Sequence, residues 1–179
     1  MKSFSGMLFC IFLAVEVNAQ DNPKGEIAGN YTYMHINPGG FATVTIDCNG
    51  GGGSGAWNLN HYLGVVGEFT ACSWSGIPAH TFTYLFGPRF TYRAGRVEPF
   101  GEVLLGGAHI HGQTVGFSGS GTDSSFAMAI GGGADYKLRS NLAIRFIQLD
   151  YLYSTLGNTH QNNFRLQVGA VLRFGKQGD

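Results

Sequence analysis

The chain has 179 residues, enough for one domain, and combines only 12% charged residues with 44% apolar residues, 29 glycines and 13% aromatics. Eleven bases balance eleven acids without any basic run, which excludes the clustered Lys and Arg that nucleic-acid binding requires. Beyond residue 19 no stretch approaches the ~20 consecutive apolar residues of a spanning helix, so crossing a membrane would require a closed barrel of strands.

Residues 1–19 read as an export signal: Lys2 provides the positive start, Met7 to Val15 (MLFCIFLAV) the apolar centre, and Val17-Asn18-Ala19 a small-residue cleavage site before Gln20. Cys10 lies inside that centre, and Met7-Leu8-Phe9 before it lack the small residue of a lipoprotein signal, so no lipid anchor is expected. Cleavage removes Lys2 and Glu16 and keeps the charge balance at zero. It also leaves Cys48 and Cys72 as the two thiols, in an oxidising compartment where a disulfide persists.

After a polar leader at 20–24, the first strand is expected from Gly25 to about Met34, with Ile27, Gly29, Tyr31 and Tyr33 outward and Ala28, Asn30 and Thr32 inward. His35 to Gly55, with Pro38, Gly39-Gly40 and Gly50 to Gly53, reads as a long loop. A short strand within it, Thr43 to Asp47, would prolong the hairpin. The glycines lack the Lys-Ser/Thr pair of a phosphate-binding loop. A second strand, Gly55 to Asn60, presents Trp57 and Leu59. His61-Tyr62 turns into a third strand with Leu63, Val65, Gly67 and Phe69 outward and Gly64, Val66, Glu68 and Thr70 inward. Cys72 to Ala79 is a shorter loop.

The fourth strand, HTFTYLFGPRFTYR, puts Phe82, Tyr84, Phe86, Pro88, Phe90 and Tyr92 on one face and Thr81, Thr83, Leu85, Gly87, Arg89 and Thr91 on the other. In water so many rings on one face would invite aggregation; in lipid they are solvated. After a tight turn at Ala94-Gly95, a fifth strand from Val97 to about Ala108 turns Val97, Val103 and Leu105 outward and Glu98 and Glu102 inward. Gly112 to Ser124 reads as a third loop. The sixth strand, Ser125 to Tyr136, carries Phe126, Met128, Ile130, Ala134 and Tyr136 outward, with Ala127, Ala129, Gly131, Gly133 and Asp135 inward. Lys137 to Asn141 forms a tight turn. In the seventh strand, Leu142 to Tyr153, Arg145 has the opposite parity to Gln148 and Asp150, which a β-bulge near Phe146-Ile147 reconciles. A fourth loop, Ser154 to Asn162, precedes the last strand, NFRLQVGAVLRF, from Asn163 to Phe174.

That last strand alternates over twelve residues, longer than the 5–6 of an average soluble strand and suited to the ~9–11 tilted residues that cross a bilayer. Eight strands, tight turns at one rim and longer polar connections at the other predict an all-β, eight-stranded antiparallel up-and-down transmembrane barrel over 25–174, with a short C-terminal tail at 175–179. Its bore should be only wide enough for side chains. Its girdle toward lipid comprises Tyr31, Tyr33, Trp57, Phe69, Phe82, Tyr84, Phe86, Phe90, Tyr92, Phe126, Tyr136, Phe164 and Phe174. Its lumen holds Glu68, Glu102, Asp135 and Asp150 against Arg89, Arg145, Arg165 and Arg173, an ion-pair network because buried charges persist only when paired. A soluble lipocalin-like carrier would need the rings inside and the charges outside.

The terminal LRF, the segment PFGEVLLGG and FTYLFGPRFTYR resemble the small OmpA-like, opacity-type members of the porin-like outer-membrane β-barrel family, over essentially all of the chain after the signal. The resemblance implies a bacterial outer membrane of the Gram-negative type, insertion by barrel-assembly machinery and a surface or adhesion role. It departs from the family's terminal aromatic in that Gly175 to Asp179 follow Phe174.

Three functions remain in view. One is a structural or surface-interaction role through long outer loops with the lumen plugged by side chains. The second is a narrow passive pore for ions or small solutes. The third is a lipid A-modifying enzyme, for which His109-Ile110-His111 and Ser118, Ser120, Ser124 and Ser125 supply the residue types but no matching motif. No enzymatic activity and no cofactor are expected, and a monomer is. His35, His80, His109, His111 and His160 cluster at the outer end, with His61 at the opposite rim. His109 and His111, two apart on one strand face, are the candidate metal pair. Cys48 and Cys72, expected in the first two outer loops, bridge only if their Cα atoms come within about 7 Å.

Overall fold

The computed structural model describes residues 22–36, 46–76, 79–113, 120–156 and 159–176. The signal segment, residues 20–21 of the leader and 177–179 of the tail lie outside the described residues. Eight strands follow in order: β1 Pro23–Ile36, β2 Ile46–Asn58, β3 Leu63–Trp74, β4 Ala79–Thr91, β5 Val97–Gln113, β6 Ser120–Arg139, β7 Leu142–Leu156 and β8 Thr159–Lys176. Each pairs antiparallel with its chain neighbours, and β1 pairs with β8, from Pro23↔Lys176 to His35↔Phe164, so the sheet closes into a barrel.

Closure follows from the alternation. Ile27, Tyr31, Trp57, Val65, Phe69, Phe86, Phe90, Leu105, Ile130, Phe164 and Leu172 are exposed on the outer face, while Glu68, Leu85, Arg145, Gln148, Arg165 and Gln167 are fully buried inside. The rings of the girdle all face away from the axis, Tyr33 and Tyr84 being half-buried against their neighbours. In hydrocarbon the unpaired edge of an open sheet is far costlier than in water, so a strand set with this outer face must close.

Strand β7 carries the expected irregularity. Ala134 pairs with Ile147 and Asp135 with Arg145, while on the other side Arg145 pairs with Gly169 and Gln148 with Gln167. Phe146 and Ile147 therefore share one rung, both face lipid, and Arg145 and Gln148 both turn inward. At the inner rim, the Asn60 side-chain Oδ1 accepts from the backbone N–H groups of Tyr62 (2.9 Å) and Leu63 (2.8 Å), which tightens the β2–β3 turn.

The barrel departs from the expected boundaries at its ends. It begins at Pro23 and ends at Lys176, not at 25 and 174. The four outer connections, expected at 35–55, 72–79, 112–124 and 154–162, contract to 37–45, 75–78, 114–119 and 157–158. The glycine run Gly50 to Gly53 is not loop but part of β2, opposite Thr32, Tyr31, Asn30 and Gly29 on one side and Cys72 to Phe69 on the other. A Cβ added at Gly50 would meet the Ala71 carbonyl and Cys72, so glycine lets β2 lie close against β3. Above the lipid neither face must be apolar, so the strands keep pairing after their period-two signal has vanished.

Candidate functional site

The bore contains two layers. Toward the outer rim lies an apolar cluster of Met34, Val66, Leu85, Leu104, Leu152 and small alanines, with Trp74 packed against it. Toward the inner rim lies a belt of charge. One inward row runs directly across strands from Arg165 to Asp150, Gly131, Glu102 and Arg89. Opposite charges thus stand side by side on paired strands, with a glycine between the two pairs.

The distances define one connected network. Arg165 contacts Glu68 (Nη1–Oε1 2.6 Å) and Asp150 (Nη2–Oδ2 2.8 Å), and Arg89 contacts Glu102 (Nε–Oε2 2.7 Å). Gln148 stands between them: its Nε2 donates to Glu102 Oε1 and Asp150 Oδ2 at 3.0 Å and reaches Glu68 Oε2 at 3.3 Å, while its carbonyl accepts from Arg145 Nη1 at 3.0 Å. Arg145 pairs with Asp135, and Arg173 contacts Glu98 (2.7 Å), Glu26 (3.8 Å) and Asp135 (3.9 Å). Arg93 adds contacts to Glu26 (2.8 Å) and Glu98 (3.8 Å).

All eight charged residues expected in the lumen are brought together here. Glu26 and Arg93 join the network without having been expected inside, and Glu98 and Gln148, expected to face inward but not as members of the ion-pair set, join it together with the bridging amide Gln167. The parity of Glu26 with Ala28, of Arg93 with Thr91 and of Gln167 with Arg165 is the signal that points to the unexpected members. Phe100, not among the expected lumen residues, shares the inward parity of Glu98 and Glu102 and is 7% exposed. Its ring lies between two guanidiniums, 4.6 Å from Arg89 and 4.5 Å from Arg145, so the π faces hold cations whose other sides meet carboxylates.

Cys48 and Cys72 are disulfide-bonded with Cα atoms 5.6 Å apart. They do not sit in outer loops, as expected, but on β2 and β3, facing the bore and buried in the apolar layer. The misplacement follows from the glycine run, which reads as loop and carries Cys48 with it. A cavity of about 20 Å³ opens among Met34, Trp74, Thr81, Ile110, Ser154 and Asn163, room for about one water.

The outer rim is polar but not basic. His35 Nδ1 lies 3.0 Å from Asp47 Oδ1, to which Tyr33 also donates at 2.8 Å. His80 pairs in register with His111 and lies 3.0 Å from Ser73 Oγ. His109 stacks on Tyr84 at 5.5 Å, and its Nδ1 lies 2.8 Å from Ser124 Oγ. Ser125 instead donates to the Ala108 carbonyl at 3.3 Å. Ser118 lies outside the described residues, and β8 places His160 opposite Thr155. Among the described residues no group of three or more His, Cys, Asp or Glu converges to hold a metal.

The family profile described as outer membrane protein beta-barrel domain matches residues 5–174. No curated protein matches the chain. Solved structures share the fold. Neisserial surface protein A superposes with a TM-score of 0.67 at 12% identity, over 84% of this chain and 97% of that one. Ail, the attachment invasion locus protein of Yersinia pestis, gives 0.51 at 19% identity, over 84% and 99%; it has also been solved in complex with the heparin analogue sucrose octasulfate. The N-terminal β-barrel domain of Pseudomonas aeruginosa OprF gives 0.53 at 12% identity, over 84% and 100%.

Proposed function

The chain belongs to the outer membrane protein beta-barrel domain family, and from that premise we propose that it is a monomeric barrel whose bore is plugged by its own side chains and whose work is done at the cell surface by its outer hairpin ends. The observation that carries this reading is the continuity of the buried network. Asn30, Asn58, Glu68, Arg89, Glu102, Asp135, Gln148 and Arg165 come one from each strand, and all belong to a single connected set of contacts. Moving an ion through the bore would require parting buried ion pairs, each costly to break.

Surface interaction is supported by the hairpins that rise beyond the lipid-facing rows, and by the fold shared with a surface protein and an attachment protein. The ligand chemistry differs from a polysulfated sugar of the kind bound in the Ail structure. The outer strand ends and connections of this chain contain no Lys or Arg, so such a ligand meets no permanent counter-charge. Tyrosine, histidine and asparagine side chains there suit an uncharged partner. An enzymatic role is not part of the proposal: His109 directs Nδ1 at Ser124, the nitrogen that a catalytic triad reserves for its carboxylate.

Planar-bilayer recordings of the folded protein should show no stable conductance steps; regular steps would favour the narrow-pore reading. Cells expressing the protein should gain adhesion to surfaces or host cells, and replacing 37–45 and 114–119 by short Gly-Ser links should remove it while heat-modifiable gel migration persists. Unchanged adhesion in that variant would overturn the surface role, and altered lipid A masses on expression would point to the enzyme.

A further inference from the structure

Outside the bore, charge is segregated by rim. Beyond residue 19, the bases that do not face the lumen are Lys24, Arg96, Lys137, Arg139 and Lys176, and all five stand at the end that holds the tight turns, the start of β1 and the end of β8. Lys24, Arg96, Arg139 and Lys176 are exposed and Lys137 half-buried. They are neighbours in space as well as in class. Pro23 pairs with Lys176, which brings Lys24 beside it. The Lys137 backbone N–H donates to the Arg96 carbonyl at 2.7 Å, and Arg139 pairs with Leu142 across the β6–β7 turn. The result is an arc from the β4–β5 turn through β6, β7 and β8 to β1. At the opposite rim Asp47 is half-exposed, and the described strand ends there contain no Lys or Arg. Asp21 and Asp179 lie outside the described residues.

A belt of rings borders the arc on its membrane side: Trp57, Tyr62, Phe90, Tyr92, Tyr136 and Phe174 are all exposed outward near the inner strand ends. Lys24 Nζ sits 5.3 Å from the Trp57 ring centroid, so cation and ring share one place at the interface. Rings at the headgroup boundary with cations just beyond them match the layering of a bilayer: hydrocarbon, carbonyl region, then phosphate.

We propose that this arc is a binding surface for the phosphodiester headgroups of anionic phospholipids in the periplasmic leaflet, so that the barrel recruits an anionic annulus on its inner side and none on its outer side. Each exposed cation near such a surface contributes about a fivefold preference at low salt, weakening as salt screens it. The proposal is independent of the adhesion role, because it concerns the other rim.

The test uses the full-length folded barrel in phosphatidylcholine bilayers doped with spin-labelled phosphatidylglycerol or phosphatidylcholine. Wild type should select phosphatidylglycerol in its motionally restricted lipid, and high salt should weaken that selection. Lys137→Gln with Arg139→Gln should reduce the preference several-fold, and further loss should follow Arg96→Gln, whereas Asp47→Asn at the outer rim should leave it unchanged. Any substituted barrel that fails to show heat-modifiable migration is set aside, and the salt and headgroup dependence of wild type then decides. No preference in wild type, or a preference indifferent to the inner-rim substitutions, overturns the proposal. Displacement of the restricted phosphatidylglycerol by peptidoglycan fragments with the bilayer unchanged would assign the arc to the cell wall and likewise overturn it.

Discussion

Arg145 on β7 and Asp135 on β6 face each other in register and meet at two points, Nε to Oδ1 at 2.9 Å and Nη2 to Oδ2 at 3.1 Å, with both side chains buried. The bulge beside Arg145 is what allows this, since without the extra residue either Arg145 or Gln148 would point into lipid. Removing one partner leaves the other as an uncompensated buried charge. Arg145→Met should therefore lower unfolding stability by about 3–5 kcal/mol. Arg145→Met combined with Asp135→Asn should recover much of that loss. Equilibrium denaturation in lipid vesicles checks it, and equal losses for the single and double variants would refute the pairing argument.

Phe100 is held between the guanidiniums of Arg89 and Arg145. Phe100→Leu keeps most of the apolar volume and removes the π faces, so it should cost about 1–2 kcal/mol, in the range of a desolvated cation–π contact. Phe146→Leu, on the lipid face of the bulge, should cost less than Phe100→Leu in the same denaturation series. A larger effect at Phe146 would show that the inner ring serves only as filler.

Gly131 separates the Arg165–Asp150 pair from the Glu102–Arg89 pair. A Cβ there would meet Asp150 Oδ1 and the Leu149 carbonyl, so backbone has to shift. Gly131→Ala should destabilise by about 1–3 kcal/mol, the range for overpacking. Gly29→Ala, where an added Cβ meets nothing within 4 Å, should be neutral or slightly stabilising. Paired thermal melts by gel mobility distinguish the two; equal shifts would contradict the close approach.

The disulfide joins positions 24 residues apart and lies in the apolar layer. Replacing both cysteines by alanine should cost about 2–4 kcal/mol, the typical loss when an unfolded chain of this loop length is released. Thiol labelling of the native barrel should find no reactive cysteine until the protein is denatured and reduced. Labelling of the untreated native protein would refute it.

What could be read in the amino-acid order was whatever the bilayer imposes locally. Wherever one face of a strand meets hydrocarbon and the other does not, the residues must alternate. So β4 and β8, the outward rings, the inward Arg89, Glu102, Asp135 and Arg165, and even the bulge at Phe146-Ile147 were legible. The same rule fell silent above the lipid. The ends of β1, β2, β5 and β6 continue there as paired strands without alternation, and Gly50 to Gly53 passed for a loop when close packing against β3 was the reason for glycine. Parity could place a charge inside but could not choose its partner, because the tilt of closed strands decides which rows meet. That Arg173 reaches Glu26 and Glu98, that Gln148 joins three carboxylates, and that Phe100 lies between two arginines are consequences of the stagger of the ring. Local alternation determined the strands and their faces, and closure of the sheet alone determined the contacts made across the bore.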